Sequence, residues 1–150
     1  MGLRAPVSLR VNPNVDPKTH PYISTGLKDS KFGIAHERVL QTYQRAAKLA
    51  GVRIVGIDCH IGSQITQEEP YLDAMERMLD LVEAIEAAGI ALGHIDFGGG
   101  LGIDYEDEAP PDAEQLWRKL LAKLDARGLG ERQLMIEPGR SLVGLSLIHI

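Results

Sequence analysis

Three short motifs contain residues whose types suit anion binding and proton transfer. CHIGSQ carries His60 and Ser63, IDFGGGLG carries a glycine triplet at residues 98–100, and EPGR carries Glu137 and Arg140. Glycine loses more conformational freedom on folding than any other residue, so each costs about 0.5 to 1 kcal/mol relative to alanine in a regular element. Three in a row therefore indicate a place where bare backbone is required.

The glycine triplet has two interpretations. Backbone N–H groups that no Cβ atom obstructs can close around a phosphate, which makes Gly98, Gly99 and Gly100 candidates for binding one. The same residues can instead form a tight turn with close packing and bind nothing. The residues alone leave both interpretations open.

His60 and Ser63 lie on either side of Gly62, directly after an apolar segment. The hydroxyl of Ser63 can donate a hydrogen bond to a phosphate, and the flat imidazole of His60 can stack on a cofactor ring. A single histidine is also common as a purely structural residue.

Glu137 follows the apolar segment QLMI and precedes Pro138 and Gly139. A carboxylate facing the interior of a protein is unfavourable without a cationic or protonated partner. Arg140 is one candidate, which would make a simple salt bridge. The other is the protonated nitrogen of a pyridine cofactor, because an acidic partner keeps such a ring an effective electron sink.

Hydrophobic periodicity places all three motifs at strand ends. It predicts strands at residues 7–11, 52–57, 90–97 and 133–136, a long polar loop over 12–33, and helices over 36–50, 70–88 and 112–126, the last capped by Asp112. This alternation predicts an α/β fold, a partial (β/α)8 TIM-type barrel with about four β/α units, whose active site lies at the carboxyl ends of the strands. Half a barrel would leave two unpaired edges and an uncovered apolar interior, so a longer protein is expected.

Composition limits the classes of partner. The 150 residues carry a net charge of -5 without a cluster of Lys and Arg, which argues against nucleic acid and anionic membrane surfaces. No apolar segment approaches the roughly 18 residues that span a bilayer, and no secretory signal is evident. The single cysteine, Cys59, excludes a cysteine-based metal site and suits a reducing cytoplasm. We expect a cytoplasmic protein that binds a small molecule and no metal.

Four segments, NPNVDPKTHPYISTGLKDSKFGI, CHIGSQI, IDFGGGLGI and EPGRSLV, resemble the diaminopimelate decarboxylase family in order and in spacing. The resemblance covers roughly residues 5–144. It implies a pyridoxal-phosphate enzyme with an alanine-racemase-like barrel, a homodimer when complete, that converts meso-2,6-diaminopimelate to L-lysine and carbon dioxide.

The resemblance also assigns roles to the residues of the motifs. His60 would stack on the pyridoxal ring, and Glu137 would pair with the pyridine nitrogen, which makes these two the catalytic residues. Ser63 and the glycine triplet would hold the phosphate. Arg140 would bind the substrate near the phosphate, and the adjoining Pro138 and Gly139 would complete the cofactor contacts.

Two requirements of the family have no counterpart in the chain. These are the lysine that forms the Schiff base and a second, β-rich domain; Lys31 belongs to a separate motif of the family. The resemblance therefore implies a fragment, roughly the second half of the barrel, that is inactive by itself. The terminal LSLIHI matches the translation of a transposase sequencing adapter, so residues 145–150 are predicted to be a non-native tail after a partial barrel domain at 1–144.

Three alternatives remain open. One is a related decarboxylase acting on ornithine, arginine or carboxynorspermidine. A second is a non-catalytic pyridoxal-phosphate-binding protein with a similar barrel. The third is that the chain as written is no functional protein.

Overall fold

The computed structural model of the chain describes residues 2–18, 31–144 and 146. Its strands are β1 (Ala5–Asn12), β2 (Ile34–Ala35), β3 (Val52–Cys59), β4 (His94–Gly99) and β5 (Gln133–Glu137). Its helices are α1 (Val39–Ala46), which follows a 3-10 turn at His36–Arg38, then α2 (Glu69–Ala87), α3 (Ala113–Ala126) and α4 (Gly139–Val143). Most of the predicted loop and tail, residues 19–30, 145 and 147–150, lie outside the described residues.

The strands form one parallel sheet in the order β2-β1-β3-β4-β5. Four strands are each followed by a helix, with β2 inserted before α1, so the predicted α/β class and the four β/α units are confirmed. Because every strand runs in the same direction, all the carboxyl ends meet at one edge of the sheet. The motifs that follow β3, β4 and β5 therefore converge there.

Two short elements were not predicted, and several boundaries differ from the prediction: α1, for example, ends at Ala46 rather than at residue 50. β2 has two residues and α4 has five, too few for a hydrophobic period to become visible. The fourth strand begins at His94 rather than at residue 90. Leu92 is buried in the core without being part of a strand, so its apolar character reflects packing rather than extended pairing.

One face of the sheet is covered by helices and holds the core. This face contributes Val11, Ile57, Cys59, Ile95 and Phe97, which belong to one cluster with apolar side chains of α1, α2 and α3. The helix predicted over 70–88 has an apolar stripe that is buried, formed by Met75, Met78, Leu79, Val82 and Ile85. Asp112 caps α3 by accepting a hydrogen bond from the Gln115 amide at 2.9 Å. The helices thus anchor the sheet from behind.

The expectation of an apolar inner face is wrong. Ser8, Arg10, Asp58 and Asp96 are polar and only partly buried, and the Ser8 hydroxyl donates to Asp58 Oδ1 at 3.0 Å. Burial and the nearby Asp96 raise the pKa of the Asp58 carboxyl, although the Ser8 hydrogen bond acts in the opposite direction. The sequence did not reveal this because residues 52–57 are mostly apolar. Asp58, which is polar, lies near the carboxyl end of this strand, next to the site.

Tyr43 ties α1 to the middle of the sheet. Its ring is fully buried, and its hydroxyl donates to the carbonyl oxygen of Gly56 at 2.9 Å. We expect Tyr43→Phe to lower the free energy of unfolding by about 1 to 2 kcal/mol, because a buried carbonyl loses its donor. Urea unfolding followed by circular dichroism measures the loss. Tyr71→Phe is the matched control, since the Tyr71 hydroxyl lies 3.3 Å from the Gly99 oxygen and should contribute less; a larger loss in the control would contradict this account.

Candidate functional site

His60 lies directly after β3, and its ring contacts the glycine triplet. The Gly99 amide donates to His60 Nδ1 at 3.2 Å, so this nitrogen carries a lone pair and the proton resides on Nε2. Burial of the ring and the Arg10 guanidinium lower the pKa of His60, whereas Glu137 and Asp96 act to raise it. His60 is therefore neutral at pH 7, and its 3.8 Å approach to Glu137 Oε2 is not an ion pair there.

The charge balance around His60 gives a testable pH dependence. We expect the imidazole to titrate below its ordinary pKa of 6.5, with Arg10→Met raising the midpoint and Glu137→Gln lowering it further. The pKa of His60 is lower in the folded chain than in the unfolded chain. Its contribution to the free energy of unfolding is therefore fully present above the unfolded pKa and is lost as the pH falls through the folded pKa. NMR titration, with the His60 signal assigned by His60→Gln, measures the midpoints. A midpoint above the ordinary value would contradict the described environment.

The glycine triplet is packed against two neighbouring segments. Gly98 and Gly100 have φ angles of +66° and +92°, which favour glycine. A Cβ atom on Gly99 would overlap the carbonyl oxygen of Glu137, and one on Gly100 would overlap that of Gly62. Close backbone approach therefore requires these glycines whether or not a ligand is bound.

Two amides of the triplet already donate to protein groups. The Gly98 amide donates to Asp96 Oδ1 at 2.8 Å, and the Gly99 amide donates to His60. The tight-turn interpretation thus has direct geometric support. Phosphate binding by Gly98, Gly99 and Gly100 stays a prediction.

A register shift accompanies the triplet. Asp96 pairs with Met135 and Gly99 pairs with Glu137, so β4 uses three steps where β5 uses two. This is the signature of a β-bulge, in which one strand carries an extra residue and bends locally. The bulge sets where Glu137 lies relative to His60.

Ser63 and Arg140 meet across the same edge. Arg140 Nη2 donates to Ser63 Oγ at 3.1 Å, and Nη1 contacts the hydroxyl of Tyr105. The Arg140 Nε is buried and has no hydrogen-bond partner among the described residues. A cation beside a hydroxyl, with a further donor unused, suits the binding of an anion.

Glu137 does not form the salt bridge with Arg140 that the sequence left open. Among the described residues, Glu137 Oε2 lies 3.8 Å from the neutral His60 ring, and Arg140 contacts Ser63 and Tyr105. The Glu137 side chain is 62% exposed, so a ligand can reach it. Pro138 and Gly139 connect the two residues, and Gly139 begins α4, the helix that carries Arg140.

Sequence reasoning missed two residues that organise the loops. Asp96 precedes Gly98 by two residues. At this spacing an aspartate side chain often accepts a hydrogen bond from the backbone amide, so the sequence does carry a signal for this contact. The amide of Gln64 donates to the Ile103 carbonyl at 2.6 Å and accepts from the Ile103 amide at 3.2 Å. This pairing joins the loop after β3 to the loop after β4, and no sequence signal indicates it.

The described residues contain neither a metal-binding cluster nor a membrane-spanning helix. No group of three or more His, Cys, Asp and Glu side chains has a geometry that could hold a metal ion, within the ranges the structure describes. None of the helices in that part of the chain is long and apolar enough to cross a membrane.

The chain is similar to known proteins over nearly its whole length. The profile of the family described as pyridoxal-dependent decarboxylase, pyridoxal binding domain, matches residues 2–144. Diaminopimelate decarboxylase of Pseudomonas aeruginosa is 54% identical over 143 residues, which are 95% of this chain and 34% of the relative. The chain thus spans about a third of that protein's length.

The chain is also similar to solved structures of decarboxylases. The crystal structure of diaminopimelate decarboxylase from Helicobacter pylori, complexed with L-lysine, superposes with a TM-score of 0.84 at 39% identity, covering 94% of this chain and 35% of that one. Lysine decarboxylase from Selenomonas ruminantium superposes with a TM-score of 0.76 at 25% identity, covering 92% and 34%. With the match over residues 2–144 to the model of their pyridoxal-binding domain, these likenesses establish that the chain belongs to the pyridoxal-dependent decarboxylases.

Proposed function

We propose that the chain is the cofactor-binding part of a diaminopimelate decarboxylase, a cytoplasmic homodimer when complete. The reaction would convert meso-2,6-diaminopimelate to L-lysine and carbon dioxide. The observation that carries the proposal is the 54% identity to the Pseudomonas aeruginosa enzyme, together with lower identity to a lysine decarboxylase, 25%.

The residues at the carboxyl edge fit pyridoxal phosphate. The group needs a cation and donors for its phosphate, a flat surface for its ring and an acid opposite its ring nitrogen. Within the described part of the chain, the buried Nε of Arg140 has no hydrogen-bond partner and Arg140 contacts Ser63, so these two side chains supply the cation and a hydroxyl. His60 supplies the flat ring and Glu137 supplies the carboxylate, with His60 Nδ1 and Glu137 Oε2 3.8 Å apart.

Each side chain has a defined task in this proposal. When bound, the cofactor would supply an electron sink for the electron pair that stays on the substrate carbon when carbon dioxide leaves. Glu137 holds a proton on the ring nitrogen, and the neutral His60 packs on the ring without adding positive charge. Arg140 and Ser63 bind the phosphate, and Arg140 also attracts the substrate. Gly98, Gly99 and Gly100, with Pro138 and Gly139, let the phosphate approach the backbone closely.

A chimera tests the activity. Residues 2–144 would replace the matching segment of the Pseudomonas aeruginosa enzyme, because the chain corresponds to 34% of that protein. We expect the chimera to release carbon dioxide from meso-diaminopimelate and the 150-residue chain alone to release none. The unmodified Pseudomonas enzyme is the control.

The substrate panel separates the alternatives. The chimera would also be offered ornithine, arginine, lysine and carboxynorspermidine under the same conditions. Preference for one of these over meso-diaminopimelate would refute the substrate assignment. A folded chimera that binds pyridoxal phosphate but decarboxylates nothing would favour a non-catalytic binding protein.

A further inference from the structure

The Arg140 guanidinium is contacted by residues of two different loops. Ser63, after β3, accepts from Nη2 at 3.1 Å, and Tyr105, after β4, contacts Nη1 through its hydroxyl. The Tyr105 ring also lies beneath the guanidinium, with Cζ 5.7 Å from the ring centroid. Tyr105 therefore provides both a hydrogen bond and a cation–π contact.

Tyr105 is 44% exposed, yet its backbone position is well defined. Glu108 Oε2 accepts hydrogen bonds from the amides of Tyr105 and Glu106 at 2.9 and 3.0 Å. Two residues before Tyr105, the side chain of Gln64 pairs with the backbone of Ile103. These contacts restrain the backbone of the loop on both sides of the Tyr105 side chain, whose hydroxyl and ring contact Arg140.

An arginine side chain has many rotamers, and most of them carry the guanidinium away from any one anion. A ligand that must first order this side chain binds more weakly than one that finds it already ordered. We propose that Tyr105 is a positioning residue that keeps the Arg140 guanidinium beside the Ser63 hydroxyl, so that both bind one phosphate group. Only the identity of that phosphate as part of the cofactor rests on the proposed function.

Two substitutions separate the contributions of Tyr105. Tyr105→Phe keeps the ring face and removes the hydroxyl, whereas Tyr105→Leu removes both. Glu106→Gln is the matched control, because its exposed side chain lies on the same loop and, among the described residues, forms no hydrogen bond or ion pair with Arg140. Circular dichroism and urea unfolding verify that each variant of the 150-residue chain keeps the parental fold.

Inorganic phosphate, titrated into each chain and followed by NMR, is the probe. We expect affinity to fall about threefold in Tyr105→Phe and about tenfold in Tyr105→Leu, and to stay unchanged in Glu106→Gln. In addition, the heteronuclear NOE of the Arg140 Nε–H signal should drop in Tyr105→Leu without ligand, which a purely structural role for the loop would not produce. Arg140→Lys identifies that signal.

The outcomes distinguish this inference from the proposed function. The positioning role would be overturned if Tyr105→Leu bound phosphate with the parental affinity or showed an unchanged Arg140 NOE. It would also be overturned if the parent chain bound no phosphate. Pyridoxal phosphate and pyridoxal are then compared on the parent chain. If inorganic phosphate binds in a Tyr105-dependent way but pyridoxal phosphate binds no better than pyridoxal, the positioning role stands and the cofactor assignment fails.

Discussion

Glu137→Gln in the chimera is expected to reduce the decarboxylation rate by several powers of ten, each worth about 1.4 kcal/mol of transition-state stabilisation, while most cofactor binding remains. The glutamine side chain has nearly the same shape but no negative charge. It cannot hold a proton on a pyridine nitrogen, so stabilisation is lost in the transition state rather than in binding. Arg140 and Ser63 lie elsewhere on the edge and keep their contact at 3.1 Å.

The measurement is kcat together with cofactor content determined from absorbance. Glu131→Gln, an exposed residue ahead of β5, removes one negative charge without touching the site and should leave both unchanged. Turnover at the parental rate by a cofactor-loaded Glu137→Gln chimera would remove Glu137 from the catalytic residues.

Gly99→Val should destabilise the fold itself. A Cβ atom at this position would overlap the backbone carbonyl oxygen of Glu137, and backbone cannot rotate away as a flexible side chain does. β5 pairs only with β4 in the described sheet, so separating these two strands releases β5 from the sheet. We expect a loss of about 4 kcal/mol or more, close to the whole stability of a marginal domain.

Urea unfolding of the 150-residue chain tests this expectation. Gly51→Ala is the matched control, since nothing lies within 4 Å of a Cβ built there. Ser63→Ala should remain folded and lose only a hydroxyl contact worth about 0.5 to 1.5 kcal/mol in ligand binding. If Gly99→Val unfolded at the parental urea concentration, the close approach of Gly99 to Glu137 would be wrong.

Much of the fold was predictable because its signals are local. The apolar stripe of α2 and the Asp112 cap of α3 follow from periodicity and side-chain chemistry, and both are confirmed. β2 was not predictable, since its two residues gain their extended form from pairing with β1. The strand order follows from long-range packing that no short segment encodes.

The site was predictable in its location and less so in its contacts. Parallel strands bring their carboxyl ends together, so His60 and Glu137 had to lie near each other. The partner of Arg140 was not predictable, because it depends on how the loop carrying Tyr105 folds back across the edge. The requirement for Gly99 likewise comes from a backbone oxygen 38 positions along the chain, which composition cannot reveal.

The bulge between Asp96 and Gly99 makes the number of residues in this segment as informative as their types. Side chains along a strand alternate between its faces, so removing one residue there would turn the following positions over and shift the pairing of Gly99 with Glu137. A one-residue gap at this point in an alignment of relatives would therefore identify a protein in which the two strands pair in a different register. Such a protein could retain all three motifs and still no longer bring its acidic residue beside its histidine.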